Sequence, residues 1–264
     1  MRQVNAVMAV LSTGALLFLV VPIVTILPIA LSSGDYISYP LPGLSLRWLK
    51  QIALNPGWRE ALVNSIFIAL SSAALATLLG TLSAVGLVQT SPRRARLLRG
   101  LMMLPVAIPS VVLGLGLYFS LARAGLLSTY AGLVLAHAVI SFPLVMVVVG
   151  ASLATTDLIV IRAAQSLGAG WRMILLNVLV PMLYPAILAG FILAFLNSFD
   201  EVIVTMFIAG PEQNTVPRVL FANLRDRLDP SVVAVTVLML LLSAGLGGLL
   251  QLLSRFTRRR AAEP

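Results

Sequence analysis

Charge in this chain is confined to a few short segments, and between them lie six uncharged runs: Gln3 to Gly34, Ala61 to Pro92, Gly100 to Ala122, Ala124 to Thr156, Met173 to Phe199 and Pro230 to Ser254. A helix needs about 20 apolar residues to cross the hydrocarbon core of a bilayer, so each run can span. In lipid the backbone must satisfy its own N–H and C=O groups, and helices do so within one segment. The predicted fold is an all-α membrane protein with six transmembrane helices, at about 7–31, 61–88, 100–121, 129–153, 183–208 and 231–253. Composition agrees with this reading. Only 10% of the 264 residues are charged, against roughly 25% in a soluble domain, and the mean hydropathy is +1.03. An ordinary soluble globule is excluded.

The charges that remain carry topological information. With the N-terminus inside, the inner segments hold Arg2, the cluster Arg93, Arg94, Arg96 and Arg99, then Arg162, Arg172 and the tail Arg255, Arg258, Arg259 and Arg260. The outer segments hold Arg47, Lys50, Arg59, Arg123, Arg218, Arg225 and Arg227. Eleven basic residues inside against seven outside favours cytoplasmic termini. The same bias explains the net charge of +9 without nucleic acid, for which the chain offers no soluble platform. Six spans leave room for one membrane domain over 1–264, with short loops. The first apolar run is too long for the core of a signal peptide, so it reads as an uncleaved helix. Pro105 and Pro109 predict a kink or break in the third span. Trp48, Trp58 and Tyr36 are expected at the outer interface, where amphipathic rings settle.

Chemistry is sparse. With no Cys there are no disulfides or thiolate sites. The sequence contains no Gly-x4-Gly-Lys-Ser/Thr loop, so ATP hydrolysis is not expected on this chain. It also lacks His-Glu-x-x-His and Gly-x-Ser-x-Gly, so a membrane protease is unsupported.

The informative loop, about 155–182, contains Arg162-Ala163-Ala164-Gln165-Ser166-Leu167-Gly168, followed nine residues later by Val178-Leu179-Val180-Pro181. It reads as two short helices with a turn: Thr155 or Thr156 can cap the first, Asp157 suits its positive end, and Gly168 can close it in the left-handed conformation. Pro181 and Pro185 then mark the start of the fifth span. This segment resembles the EAA loop of the permease subunits of bacterial ABC importers, Glu-Ala-Ala, three residues, Gly, nine residues, Ile-x-Leu-Pro. The spacing matches throughout. Arg162 stands where the family usually has Glu, and Val178 and Val180 replace Ile and Leu. Asn64-Ser65 and the run Leu104 to Gly114 resemble further family segments. Phe199-Asp200-Glu201-Val202, Ala209-Gly210-Pro211 and Thr215-Val216-Pro217 are similar to the second permease of spermidine/putrescine importers.

The resemblance implies a type I ABC importer permease fold in the bacterial inner membrane. It also implies partners: a second permease, two cytoplasmic ATPases carrying ATP and Mg, and a periplasmic binding protein. Arg162, Ala163, Ala164, Gly168 and Pro181 would then couple the spans to an ATPase, as a helical knob in its cleft. The solute would be a small cation such as putrescine or spermidine. The alternatives are the same machine for an amino-acid-like amine, a phosphonate, an iron chelate or thiamine, or an ATP-independent carrier or channel.

Asp200 and Glu201 are the candidate pathway residues, with Phe199 beside them. Acids within a span are costly and usually face a cavity, a bundle interior or a partner. One reading has at least one of them attract the ammonium groups of a polyamine. The other leaves them solvated at the interface, or paired with Arg218, Arg225 or Arg227. His137, the single histidine, lies mid-span among aliphatics and is expected to be a hydrogen-bonded packing residue rather than a proton relay or ligand. Seven glycines (Gly80, Gly86, Gly114, Gly116, Gly245, Gly247 and Gly248) are expected to permit close helix contact.

Overall fold

Apolar runs of this kind fold into helices in a computed structural model of the chain, which describes residues 2–156, 159–226 and 230–260. In order, the helices are α1 (Arg2–Ile26), running on through a 3-10 turn at Leu27–Leu31, α2 (Arg47–Leu54), α3 (Pro56–Val88), α4 (Pro92–Met102), α5 (Leu104–Ala107), α6 (Ser110–Arg123), α7 (Tyr130–Ala154), α8 (Ile159–Ser166), α9 (Trp171–Ile174), α10 (Val180–Phe199), α11 (Ile203–Ile208), α12 (Val216–Asp226) and α13 (Pro230–Arg260). Five stretches are long and apolar enough to cross a membrane: Met8–Leu31, Pro56–Val88, Tyr130–Ala154, Trp171–Phe199 and Pro230–Leu249.

The third apolar run is not one helix. It is divided into α4, α5 and α6, with Ile108 and Pro109 extended between the last two. Pro105 and Pro109 lack an N–H, so regular helix cannot pass through both. The fifth span also differs from expectation. Helix continues from Trp171 through a π-helical segment at Leu175–Leu179 into α10, and ends at Phe199 instead of 208. A π segment is one way for a helix to tolerate a following proline, so Pro181 lies within the span and does not open it.

The described residues fall into two compact units. One comprises Met1–Arg59 and Val219–Ala244. Its apolar centre joins Ala30, Trp48 and Ala234, with Leu49, Ile52, Val233 and Val237 packed around them. Trp48 is therefore a core side chain of this unit. Its indole N–H donates to the Gly34 carbonyl (3.2 Å) and its ring stacks under Arg47, whose guanidinium pairs with Asp35. Trp58 is also buried, whereas Tyr36 is exposed.

The second unit comprises Glu60–Arg218 and Gly245–Pro264. Here α7 lies between α3 and α10, and the three helices meet at Val145. A Cβ on Gly80 would stand 2.7 Å from the Val145 Cβ, and one on Gly190 3.0 Å from its Cγ1. Small residues let the backbones approach this closely. Toward the other end, Ile68 of α3, Leu121 of α6, Leu133 and Ala136 of α7, and Val204 and Ile208 of α11 form one apolar cluster. Gly114 sits against the ring of Phe207, so α6 and α11 also pack closely. Thr129 caps α7 by accepting from the Gly132 N–H (3.0 Å).

Candidate functional site

The loop before the fifth span folds from local signals. Helix α8 ends with the Gly168 N–H donating to the Gln165 carbonyl (2.9 Å) and the Ala169 N–H to the Ala164 carbonyl (3.0 Å). These paired bonds make a Schellman ending. Gly168 takes φ +82° to make it, a conformation that L side chains resist. The Thr155 and Thr156 hydroxyls both donate back to the Ser152 carbonyl, finishing α7. Asp157 lies outside the described residues.

Arg162, Ala163, Gln165, Ser166 and Gly168 are exposed, Ala164 is half-buried, and Leu167 at the tip is 88% exposed. Behind α8 lies a cleft of about 200 Å³, lined by Arg162 and Gln165 together with Gln89, Leu153 and Trp171. Arg162 has no ion pair among the described residues. Pro181, also exposed, is the second residue of α10.

At the opposite end of α10, about 30 Å of helix away, the two acids occupy a break and not a helix. Asp200 is the C-terminal cap of α10, with its N–H bonded to the Leu196 carbonyl (3.1 Å), and its side chain is exposed. Glu201 is half-buried. Its carboxylate accepts from the Val204 N–H (2.9 Å) in the first turn of α11, satisfying a donor that the helix leaves open. The adjacent acids thus differ in role and in burial. Neither forms an ion pair with Arg218 or Arg225 among the described residues; Arg227 lies outside them. Phe199 is buried, stacked on Phe195 at 5.6 Å, so of these three residues it faces inward.

Three segments quoted separately in the sequence come together nearby. The Asn64 amide donates to the carbonyls of Glu212 (2.8 Å) and Asn214 (3.0 Å), and its Oδ1 accepts from the Tyr130 hydroxyl (2.9 Å). Ser65 Oγ accepts from the Val216 N–H (2.8 Å). Gln213 Oε1 accepts from the Gly210 N–H, while Arg218 donates to the Gly210 carbonyl (2.6 Å). The loop between α11 and α12 is therefore bolted to α3 and to the start of α7. Motif spacing located these residues but not their partnership.

A buried polar line was not foreseen beyond His137 itself. His137 bonds Ser198 Oγ through Nδ1 (2.8 Å) and Thr205 Oγ1 through Nε2 (2.9 Å). Ser72 donates to Ser198 (2.8 Å), and Thr205 donates to the Glu201 carbonyl (2.9 Å). Ser141 and Asn197 join α7 to α10 alongside it. Isolated Ser, Thr and His within apolar spans were the available signal, because polar groups in that setting usually find one another.

Residues 76–259 match the family described as binding-protein-dependent transport system inner membrane component. The chain is similar to a spermidine/putrescine transport system permease protein, PotC, of Haemophilus influenzae, 28% identical over 90% of this chain and 92% of that one. It is 31% identical to a putrescine transport system permease protein, PotI, of Escherichia coli strain K12, over 75% of this chain and 73% of that one. A molybdenum transport system permease protein, ModB, of Mycobacterium bovis is 30% identical over 81% and 88%. Among solved structures, a chain of a bacterial ABC transporter involved in the import of the acidic polysaccharide alginate superposes with TM-score 0.72 at 13% identity, covering 97% of this chain and 95% of that one.

Proposed function

Because the chain belongs to the family of binding-protein-dependent transport system inner membrane components, we propose that it carries a small polyamine cation of the putrescine and spermidine class. It is an all-helical permease subunit of an ABC importer, a multi-pass protein of the inner membrane. The observation that carries the solute reading is Asp200: an exposed carboxylate at a helix break, with no ion pair among the described residues, in a chain similar to polyamine permeases. A carboxylate in a pathway of low dielectric attracts an ammonium group and repels anions. Glu201 caps α11, and Phe199 packs beneath the break; we give them supporting roles.

The divided run α4–α6 supplies the sixth span, both termini are cytoplasmic, and 1–264 form a single permease domain. Arg162, Ala163, Ala164, Gly168 and Pro181 form the coupling surface for one of two partner ATPases, which bind ATP and Mg. A second permease completes the pathway, and a periplasmic binding protein delivers the solute. Exposed Leu167 and the Schellman turn support the docking role.

The test is uptake of labelled putrescine by the complete importer. Asp200→Asn should lower uptake about tenfold, the equivalent of one charge-assisted interaction. Glu201→Gln retains an acceptor for Val204 and should have a smaller effect. Unchanged uptake in the Asp200→Asn, Glu201→Gln double variant would defeat the cation-pathway reading.

A further inference from the structure

His137 occupies the middle of a directional hydrogen-bond line that crosses four helices. The Thr205 hydroxyl has one hydrogen, given to the Glu201 carbonyl (2.9 Å). Its oxygen then accepts from His137 Nε2 (2.9 Å), an arrangement that assigns the ring the Nε2–H tautomer. Nδ1 is left as an acceptor, filled by the Ser198 hydroxyl, whose oxygen accepts in turn from Ser72. The line therefore runs Ser72 on α3, Ser198 on α10, His137 on α7, Thr205 on α11, and ends on the backbone of Glu201. Every side chain in it is buried, with His137 1% exposed and Ser72 and Thr205 fully buried.

A ring whose only task was to fill space among aliphatics would not need a hydrogen-bond partner on each of its nitrogens, and phenylalanine or leucine would serve. What distinguishes His137 is a donor and an acceptor on opposite edges of a rigid ring, bridging two helices that flank the same gap. Ser198 lies two residues before Asp200, and Thr205 reaches the carbonyl of Glu201, one residue after it. The ring thus holds the end of α10 and the start of α11 at a fixed separation. We propose that His137 is a positioning residue: it sets the geometry of the break between α10 and α11, and with it the direction in which Asp200 presents its carboxylate. This rests on Asp200 facing the solute, as proposed above, but it can be tested without transport.

The chain has no cysteine, so Asp200→Cys installs a single thiol at the break. In the complete importer in proteoliposomes, the rate at which a membrane-impermeant maleimide modifies this thiol reads the position of residue 200 directly. His137→Leu removes both bonds and should change that rate by about fivefold, the population shift that one net hydrogen bond supports. His137→Gln keeps a donor and an acceptor and should return the rate to near the parent value. Thr205→Val cuts the line beyond the ring and should reproduce the leucine result.

Equal rates in all three variants, or an unreactive thiol in the parent, overturn the proposal. So does failure of both His137→Leu and Thr205→Val to assemble, which would make the line a requirement for folding alone. Uptake distinguishes the underlying reading: if Asp200→Asn transports putrescine normally, the cation pathway fails while the labelling result still stands. If Asp200 is the group being positioned, His137→Leu raises the KM for putrescine in the native background. It adds nothing further in the Asp200→Asn background.

Discussion

At Gly168 the cost of a side chain is conformational rather than steric, since an added Cβ meets nothing within 4 Å while φ is +82°. Asparagine tolerates that region and should preserve the turn, whereas alanine should cost about 1 kcal/mol locally. Tryptophan adds bulk where Leu167 and Ala163 are exposed. We expect Gly168→Trp to be produced normally but to lose ATP-driven uptake and co-purification of the ATPase, with Gly168→Asn close to wild type. Full uptake by Gly168→Trp would argue strongly against docking through this loop. The helix glycines behave oppositely. Gly80 and Gly190 are held against Val145, so alanine at Gly80 should overpack the α3–α7 contact at a cost of about 1–3 kcal/mol. Thermal unfolding in detergent checks this, and Val145→Ala in the same chain should recover part of the loss. A Cβ added at Gly86, Gly116, Gly245, Gly247 or Gly248 would meet nothing within 4 Å among the described residues. A glycine's presence in a span is legible in the sequence; which glycine faces a neighbour is not, because that depends on helix rotation.

Among the elements, helix breaks separate what sequence can reveal from what it cannot. Pro105 and Pro109 announce the division of α4–α6, since each removes a donor and restricts the residue before it. Nothing comparable announces the end of α10: Asn197-Ser198-Phe199-Asp200 contains neither glycine nor proline. The acids therefore read as residues within the fifth span, when Asp200 in fact ends α10 and Glu201 caps α11. The π segment was hidden for the converse reason, because Pro181 is a legitimate helix start and only tertiary packing carries the helix back to Trp171. The loop after α11 depends on contacts about 150 residues distant in sequence, which motif spacing cannot supply. Its anchor makes a clear prediction. Asn64→Ala withdraws donors from the carbonyls of Glu212 and Asn214 and the acceptor from Tyr130; the Tyr130 hydroxyl can still donate to the Glu212 carbonyl (3.0 Å), so the Asn214 carbonyl is the group left open, a loss of about 1–3 kcal/mol if it stays unpaired. We expect limited proteolysis within 209–217 to accelerate severalfold in Asn64→Ala, with α7 and α10 remaining protected. Cleavage no faster than in wild type would show that the loop is held by other means.

For the molecule as a whole, the question is where the energy for transport enters. A secondary carrier couples solute to an ion through ionisable side chains and opened backbone inside the membrane. Within the described spans the polar line through His137 is closed: both ring nitrogens are engaged, and its terminal donor is used on a carbonyl. Asp200 and Glu201 stand at a break, and Glu201 is committed to α11. Exposed instead are α8 and its turn, with Leu167 and Arg162 at the surface and the cleft behind them. That arrangement suits a chain driven from outside itself, in keeping with an importer permease. We therefore expect uptake in vesicles to require ATP on the side that faces α8, to stop when the partner ATPase is omitted, and to persist when proton and sodium gradients are collapsed by ionophores. Arg162 adds a charge condition, because the family pattern has an acid at this position. If the cleft of the partner is complementary to arginine, Arg162→Glu should weaken ATPase co-purification, and a charge reversal in that cleft should restore it. Uptake that survives loss of the ATPase but collapses with the ion gradient would make the chain a carrier in its own right, and the exposed turn at Leu167 would need another explanation.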